Sequence, residues 1–192
     1  MLQSDRSIED FFNPKVLRHQ LISASLYVLF YESFKEELID KLKFYYSLGS
    51  QETDDYKEDV KSRNKSPIYA TLDWFKYMGA IDEVDLQQFE KIKKCRNKLS
   101  HELHSLIGAS GLPDDFDESF ALLLSFKSKI YHWWIINVEV ASDPEYMGKE
   151  INPDDFTHAS TLMDKMMIDI ALGTEEESNQ YLKMYQLWSK NS

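Results

Sequence analysis

Apolar residues recur every three or four positions along most of the chain, the spacing of one face of an α-helix. Leu17, Leu21, Leu26, Leu29, Phe34, Leu38 and Leu42 mark a long first helix from about Asn13 to Leu48. Asn13-Pro14 supplies a cap and a first-turn proline for it, and Gly49 a stop. Ser50 to Ser66 is polar and charge-rich and reads as a mobile connection with one helical turn. A second helix starts near Ser66-Pro67, turns Leu72, Trp74, Phe75 and Met78 inward and ends at Gly79. The third spans Asp82 to Ile107 and stops at Gly108, before the breaker-rich run to Pro113. A fourth begins near Asp114 or Asp115, carries Phe120, Leu123, Leu124, Phe126, Ile130, Trp133, Trp134 and Ile136, and ends at Asp143-Pro144. Asn152-Pro153 opens a fifth helix using Phe156, Leu162, Met163, Met166 and Ile170, closed by Gly173. Thr174 with Glu177 forms a capping-box pattern for a last short helix containing Tyr181, Met184, Tyr185 and Trp188.

This pattern predicts an all-α fold: an antiparallel, up-and-down bundle of four main helices over residues 1–142, with a two-helix extension over 143–192 packed on it. Composition agrees, because 6 Gly and 5 Pro in 192 residues are too few to punctuate many short strands. The N-terminus lacks the basic start and apolar stretch of a secretory signal, and no run approaches the roughly 20 apolar residues that cross a bilayer. The lone Cys95 rules out an internal disulfide framework and fits a reducing compartment. The expectation is a soluble, cytoplasmic protein that does not meet the membrane.

Charge changes the picture twice. The formal net charge of −11 excludes a general polyanion binder, which needs a basic surface to displace counterions from phosphates. Yet Pro113 to Ser192 carries 15 acidic against 6 basic residues, so the first 112 residues are nearly balanced. Within them, Lys91 to Lys98 holds five basic residues and no acid. That island is a candidate phosphate contact, with Lys93, Lys94 and Lys98 as its lysines.

The third helix carries the chemistry. At 100° per residue, Phe89, Ile92, Cys95, Leu99, Leu103, Leu106 and Ile107 share an arc about 120° wide, and Arg96 falls inside it. A guanidinium on an apolar face needs a partner: a carboxylate from another helix, a second subunit or a bound anion. Asn97 and His101, four apart, lie together on the adjacent flank, with His104 nearby. An arginine fork, an amide and an imidazole that exchanges protons near neutral pH are what metal-free RNA cleavage requires.

Arg96-Asn97-Lys98-Leu99-Ser100-His101 resembles the R-N-x-x-x-H motif of HEPN domains, helical bundles that include many metal-independent endoribonucleases of toxin–antitoxin and phage-defence systems. The resemblance covers roughly Asn13 to Ser142. It implies Arg96 and His101 as catalytic residues, Asn97 as a polar helper, no cofactor, an RNA substrate cut in a cleft between two copies of a homodimer, and an antitoxin protein as a possible partner. In one branch, whose toxin is silenced by nucleotide transfer, a tyrosine stands two positions after the histidine; this chain has Leu103 there.

Plainer readings stand beside these. Arg96 could form a structural salt bridge to an acid of the first helix such as Glu32 or Glu36. His101-Glu102-Leu103-His104 suggests zinc, but the metalloprotease pattern needs a histidine where Ser105 stands, so no metal site is expected. Cys95 reads as a buried inert thiol, Trp133-Trp134 and the fifth-helix methionines as core, and the C-terminal acids as a solvated face. The rival to the ribonuclease is a non-catalytic helical module of the same scaffold that binds a protein or nucleotide partner.

Overall fold

The first helix opens as its capping residues require. Asn13 Oδ1 accepts the backbone N–H of Lys15 at 3.0 Å, Pro14 occupies the first turn, and α1 runs over Pro14–Tyr45. The computed structural model describes residues 9, 11–47, 52–109 and 111–191, and for residues 105, 107–109 and 191 the backbone alone. Gly49 lies outside these. After α1 come α2 (Asp54–Asp59), α3 (Pro67–Tyr77), α4 (Glu83–Ala109), α5 (Phe116–Trp134), α6 (Ala159–Leu172) and α7 (Glu175–Asn191), with short 3-10 turns between them. The described residues contain no strand, so the fold is an all-α helical bundle.

Its core is aromatic. Tyr27, Phe30, Tyr31 and Phe34 of α1 are buried against Phe89, Ile92, Cys95 and Leu99 of α4 and Leu123, Phe126 and Ile130 of α5. Phe34 meets Phe126 edge-on at 5.8 Å, and Tyr31 stacks on Phe89 at 6.0 Å. Burial of such side chains contributes roughly 1.5–3 kcal/mol each. These rings set which face of α1 points inward. Leu21 and Leu29, expected in the core, fall outside that arc and are exposed.

The connection after α1 is more ordered than its polarity suggests. Thr53 Oγ1 accepts the N–H of Tyr56, and Tyr56 and Val60 are buried, so one helical turn and the 3-10 turn Lys61–Arg63 are anchored to the bundle. Two apolar residues in a charged stretch suffice to pin it. At the end of α3 the chain reverses through Gly79, whose φ of 78° lets Ala80 N–H reach Phe75 O at 2.9 Å. Met78, expected inside, is carried outward by this turn and is exposed.

Helix α5 does not run unbroken to Asp143. Residues Ile135–Val140 form a π-helical turn, a rare form that is frequent at functional sites. The fifth helix also begins later than expected. Asn152 accepts the Asp154 N–H to close only the turn Pro153–Asp155, and His158 becomes the true cap, its Nδ1 accepting Ser160 N–H at 3.1 Å.

Helix α6 packs on α1 and α5, and α7 packs on α6. The link to the bundle is polar: Lys127 of α5, 2% exposed, lies 2.5 Å from Asp164 of α6. Ser160 Oγ and Tyr131 Oη both donate to Glu37 of α1, while His158 stacks on Tyr131 at 4.2 Å. The capping box at Thr174 and Glu177 forms as expected, with Thr174 N–H reaching Glu177 Oε2 at 2.7 Å. Leu162, Met163 and Ile170, expected to face the core, are exposed, as are Met184, Tyr185 and Trp188, because the hairpin touches the bundle along one side only.

Burial, and then the charge of Lys41, hold the His158 imidazole below the ordinary histidine pKa. The unfolded chain therefore takes up the proton more readily than the folded one, and stability falls as pH drops below about 6.5. His158→Asn keeps a capping oxygen but cannot titrate there. Urea unfolding of both proteins between about pH 5 and pH 7.5 should give a smaller pH slope for the variant; equal slopes would remove His158 from the account.

Candidate functional site

Helix α4 positions the motif by its start and its buried face. Asp82 caps it, accepting the N–H groups of Val84 at 2.8 Å and Asp85 at 3.0 Å, and Asp85 returns the contact to Asp82 N–H. With Phe89, Ile92, Cys95 and Leu99 buried, the rotation of the helix is set. Arg96 is then left at the boundary between core and solvent, and Asn97, Ser100, His101 and His104 on the flank beside it.

Arg96 finds its partner across the helix pair: Nη2 forms a salt bridge with Glu32 of α1. The intramolecular carboxylate is one of the partners the sequence leaves open. Nη1 donates to Asn97 Oδ1 at 3.0 Å, and the guanidinium carbon lies 5.6 Å from the Tyr31 ring centre. The pair is not sealed, since Arg96 and Glu32 side chains are 27% and 26% exposed. Burial pushes the Glu32 carboxyl up, but hydrogen bonds from Lys35 and Arg96 outweigh it and hold the group below the ordinary carboxylate range. Burial and then Glu32 push the Tyr31 phenol up to about 12. Arg96 Nε is buried without a hydrogen-bond partner. A guanidinium carries five N–H donors, so the contacts to Glu32 and Asn97 leave others uncommitted.

The remaining motif residues are placed as follows. His101 and His104 are exposed, as are Lys94 and Lys98. Lys93 is turned inward to Tyr69, donating to its hydroxyl at 2.6 Å, and this bond raises the lysine pKa. Its ammonium is thus committed to α3, while Lys91 lies 3.7 Å from Glu118. Cys95 is buried, and burial raises its thiol pKa, as an inert core cysteine requires. Among the described residues no group of three or more His, Cys, Asp or Glu is arranged to hold a metal ion.

Geometrically, then, Arg96 is oriented by Glu32 and Asn97 at one edge of a flank on which the His101 imidazole is solvent-accessible. One helix turn separates Asn97 from His101, so these two share a face, while Arg96 lies about 140° round the helix from His101 and is linked to that face through its bond to Asn97. The residues brought together supply a guanidinium able to pair with an anion and, on the next face, an exposed imidazole able to exchange a proton.

A second concave feature lies along the C-terminal end of α1, where a groove of about 1310 Å³ runs between α1, the π-helical turn and the start of α6. Sequence reasoning missed it. Glu36, Asp40 and Phe44 repeat every four residues along α1, a signal that exposes a shared face but not the wall that Trp134 and Val138 build against it.

Comparison with known protein families, with characterised proteins and with solved structures gives no match. Among the described residues no helix is long and apolar enough to cross a membrane.

Proposed function

We propose that this protein is a metal-independent endoribonuclease of the HEPN type, acting as a homodimer in the cytoplasm as a toxin or phage-defence effector. The observation that carries the reading is the Arg96 guanidinium, steered by Glu32 and Asn97 to the edge of the flank that exposes His101. In the proposed reaction the His101 imidazole takes the proton of a ribose 2′-hydroxyl. The freed oxygen attacks the adjacent phosphorus, the bond from phosphorus to the 5′-oxygen of the next nucleotide breaks, and that oxygen takes a proton from water while His101 returns its own to the solvent. Arg96 stabilises the charge that builds on the phosphoryl oxygens. Lys94 and Lys98 hold neighbouring phosphates, and an antitoxin protein is a fitting neutralising partner.

The test is cleavage of a mixed RNA pool by purified protein in EDTA, with His101→Ala alongside. The expected result is cleavage leaving 2′,3′-cyclic phosphate ends, reduced at least about 100-fold in the variant. Folded wild-type protein that leaves the pool intact, or a variant that cleaves equally, sinks the proposal. A second reading, the non-catalytic module binding a protein or nucleotide partner, is favoured by one observation: Arg96 already has a carboxylate partner within the chain.

A further inference from the structure

The groove beside α1 differs in charge and shape from the flank that carries His101. Its floor follows α1 from Ser33 to Tyr45, twelve residue steps or about 18 Å of helix. Its apolar part is Phe44, Tyr45, Trp134 and Val138, with Phe44 82% exposed. Four carboxylates line it, Glu36, Glu37, Asp40 and Glu139, against the single ammonium of Lys41. At 1310 Å³ it exceeds the roughly 300–1,000 Å³ of small-molecule sites and is elongated along a helix axis.

The groove already receives one cation. Lys41 Nζ lies 5.4 Å from the Trp134 ring centre and 5.8 Å from that of Tyr131, and 3.4 Å from Glu139 Oε1. Glu37 is engaged by Tyr131 and Ser160; Glu36 and Asp40 stand exposed one turn apart beside Phe44, Asp40 in a solvent-exposed pair with Lys43 at 2.9 Å, a kind of pair that contributes little and exchanges readily for another cation. An exposed aromatic ring flanked by carboxylates, over three turns of helix, is complementary to an amphipathic helix bearing apolar residues on one side and Lys or Arg on its margins.

We propose that this groove docks a basic amphipathic helix, about three turns long, from a partner protein. Phe44, Val138 and Trp134 take its apolar side chains, and Glu36, Asp40 and Glu139 pair with its flanking cations. The acidic lining repels nucleic acid, so the contact is with protein, and it stands apart from the ribonuclease reading of α4. A partner seated there lies on the same helix as Glu32, one turn from Glu36, and so within reach of the element that orients Arg96.

The experiment is fluorescence anisotropy with a labelled amphipathic Leu/Lys helical peptide of about 14 residues as probe, and the same peptide with Glu in place of Lys as control. Wild-type protein should bind the basic peptide with micromolar affinity that weakens with salt, and should ignore the acidic one. The double variant E36K/D40K should lose about tenfold or more in affinity, and Phe44→Ala about fivefold. All three residues are exposed, so the variants keep the fold, as an unchanged circular dichroism spectrum and melting temperature would show. Equal binding of both peptides, or undiminished binding by the groove variants, overturns the proposal. So does a wild-type dimer in light scattering that Phe44→Ala converts to monomer, because the occupant is then a second copy of this chain.

Discussion

Asp164→Ala is expected to destabilise the protein by about 3–5 kcal/mol, seen as a fall in melting temperature of roughly 6–20 °C. The reason is the location of its partner. Lys127 is 2% exposed in the middle of α5, and its ammonium lies 2.5 Å from the Asp164 carboxylate and 5.3 Å from the ring centre of Phe30. Removing the carboxylate leaves a buried cation with no counter-charge, which costs more than the pair itself contributes. Stabilities of domains this size are about 5–15 kcal/mol, so the loss is a large fraction of the whole. The double variant Lys127→Met/Asp164→Leu removes both charges while keeping apolar volume, and should recover most of the stability. A melting temperature for Asp164→Ala within about 2 °C of wild type would show that the pair is solvated and that the extension is held by its other contacts, Ser160 to Glu37 and His158 on Tyr131 among them. The same variant separates the extension from the bundle in another sense: helix α6 also carries the start of the groove wall, so loosening it should weaken binding there before it affects α4.

Arg96→Lys should reduce RNA cleavage by about 100-fold to 1,000-fold while lowering stability by no more than about 1 kcal/mol. Lysine keeps the positive charge beside Glu32 but loses the planar fork that gives one nitrogen to Glu32 and another to Asn97. The pair is about a quarter exposed and Lys35 remains on Glu32, so the fold tolerates the exchange. Cleavage assay and thermal melt together divide the two roles of this residue. If cleavage persists at the wild-type rate while stability falls, Arg96 is a structural residue and the non-catalytic reading takes its place. Loss of cleavage with an unchanged melt supports the ribonuclease.

How much of this was legible in the chain depends on the length scale of each feature. Caps at Asn13 and Thr174, the proline-started α3 and the helical class of every long element follow from neighbours within four residues, and the structure contains them. The placement of Arg96 on the inner face of α4 was legible for the same reason, since a helix repeats its faces by rule. Glu32 and Glu36, one turn apart on α1, were equivalent by spacing; only one of them meets Arg96.

Other features depended on competition between faces. Leu21, Leu29, Leu162, Met163 and Ile170 have the spacing of a core stripe but remain exposed, because larger aromatic faces elsewhere on α1 and the one-sided contact of α6 decided which residues were buried. The polar connection at 54–63 is anchored by Tyr56 and Val60, whose partners lie on other elements. The Lys127–Asp164 pair and the groove arise only where helices distant in the chain meet.

By itself, then, the sequence determined that the chain is helical, where most helices begin, and which residues lie on the flank beside Arg96, because those properties are local and repeat with the helix period. The tertiary structure decided that Glu32 rather than Glu36 holds Arg96, that Lys93 turns away toward Tyr69, and that an acidic aromatic groove forms on α1, because each depends on the distance and rotation between helices far apart in the chain.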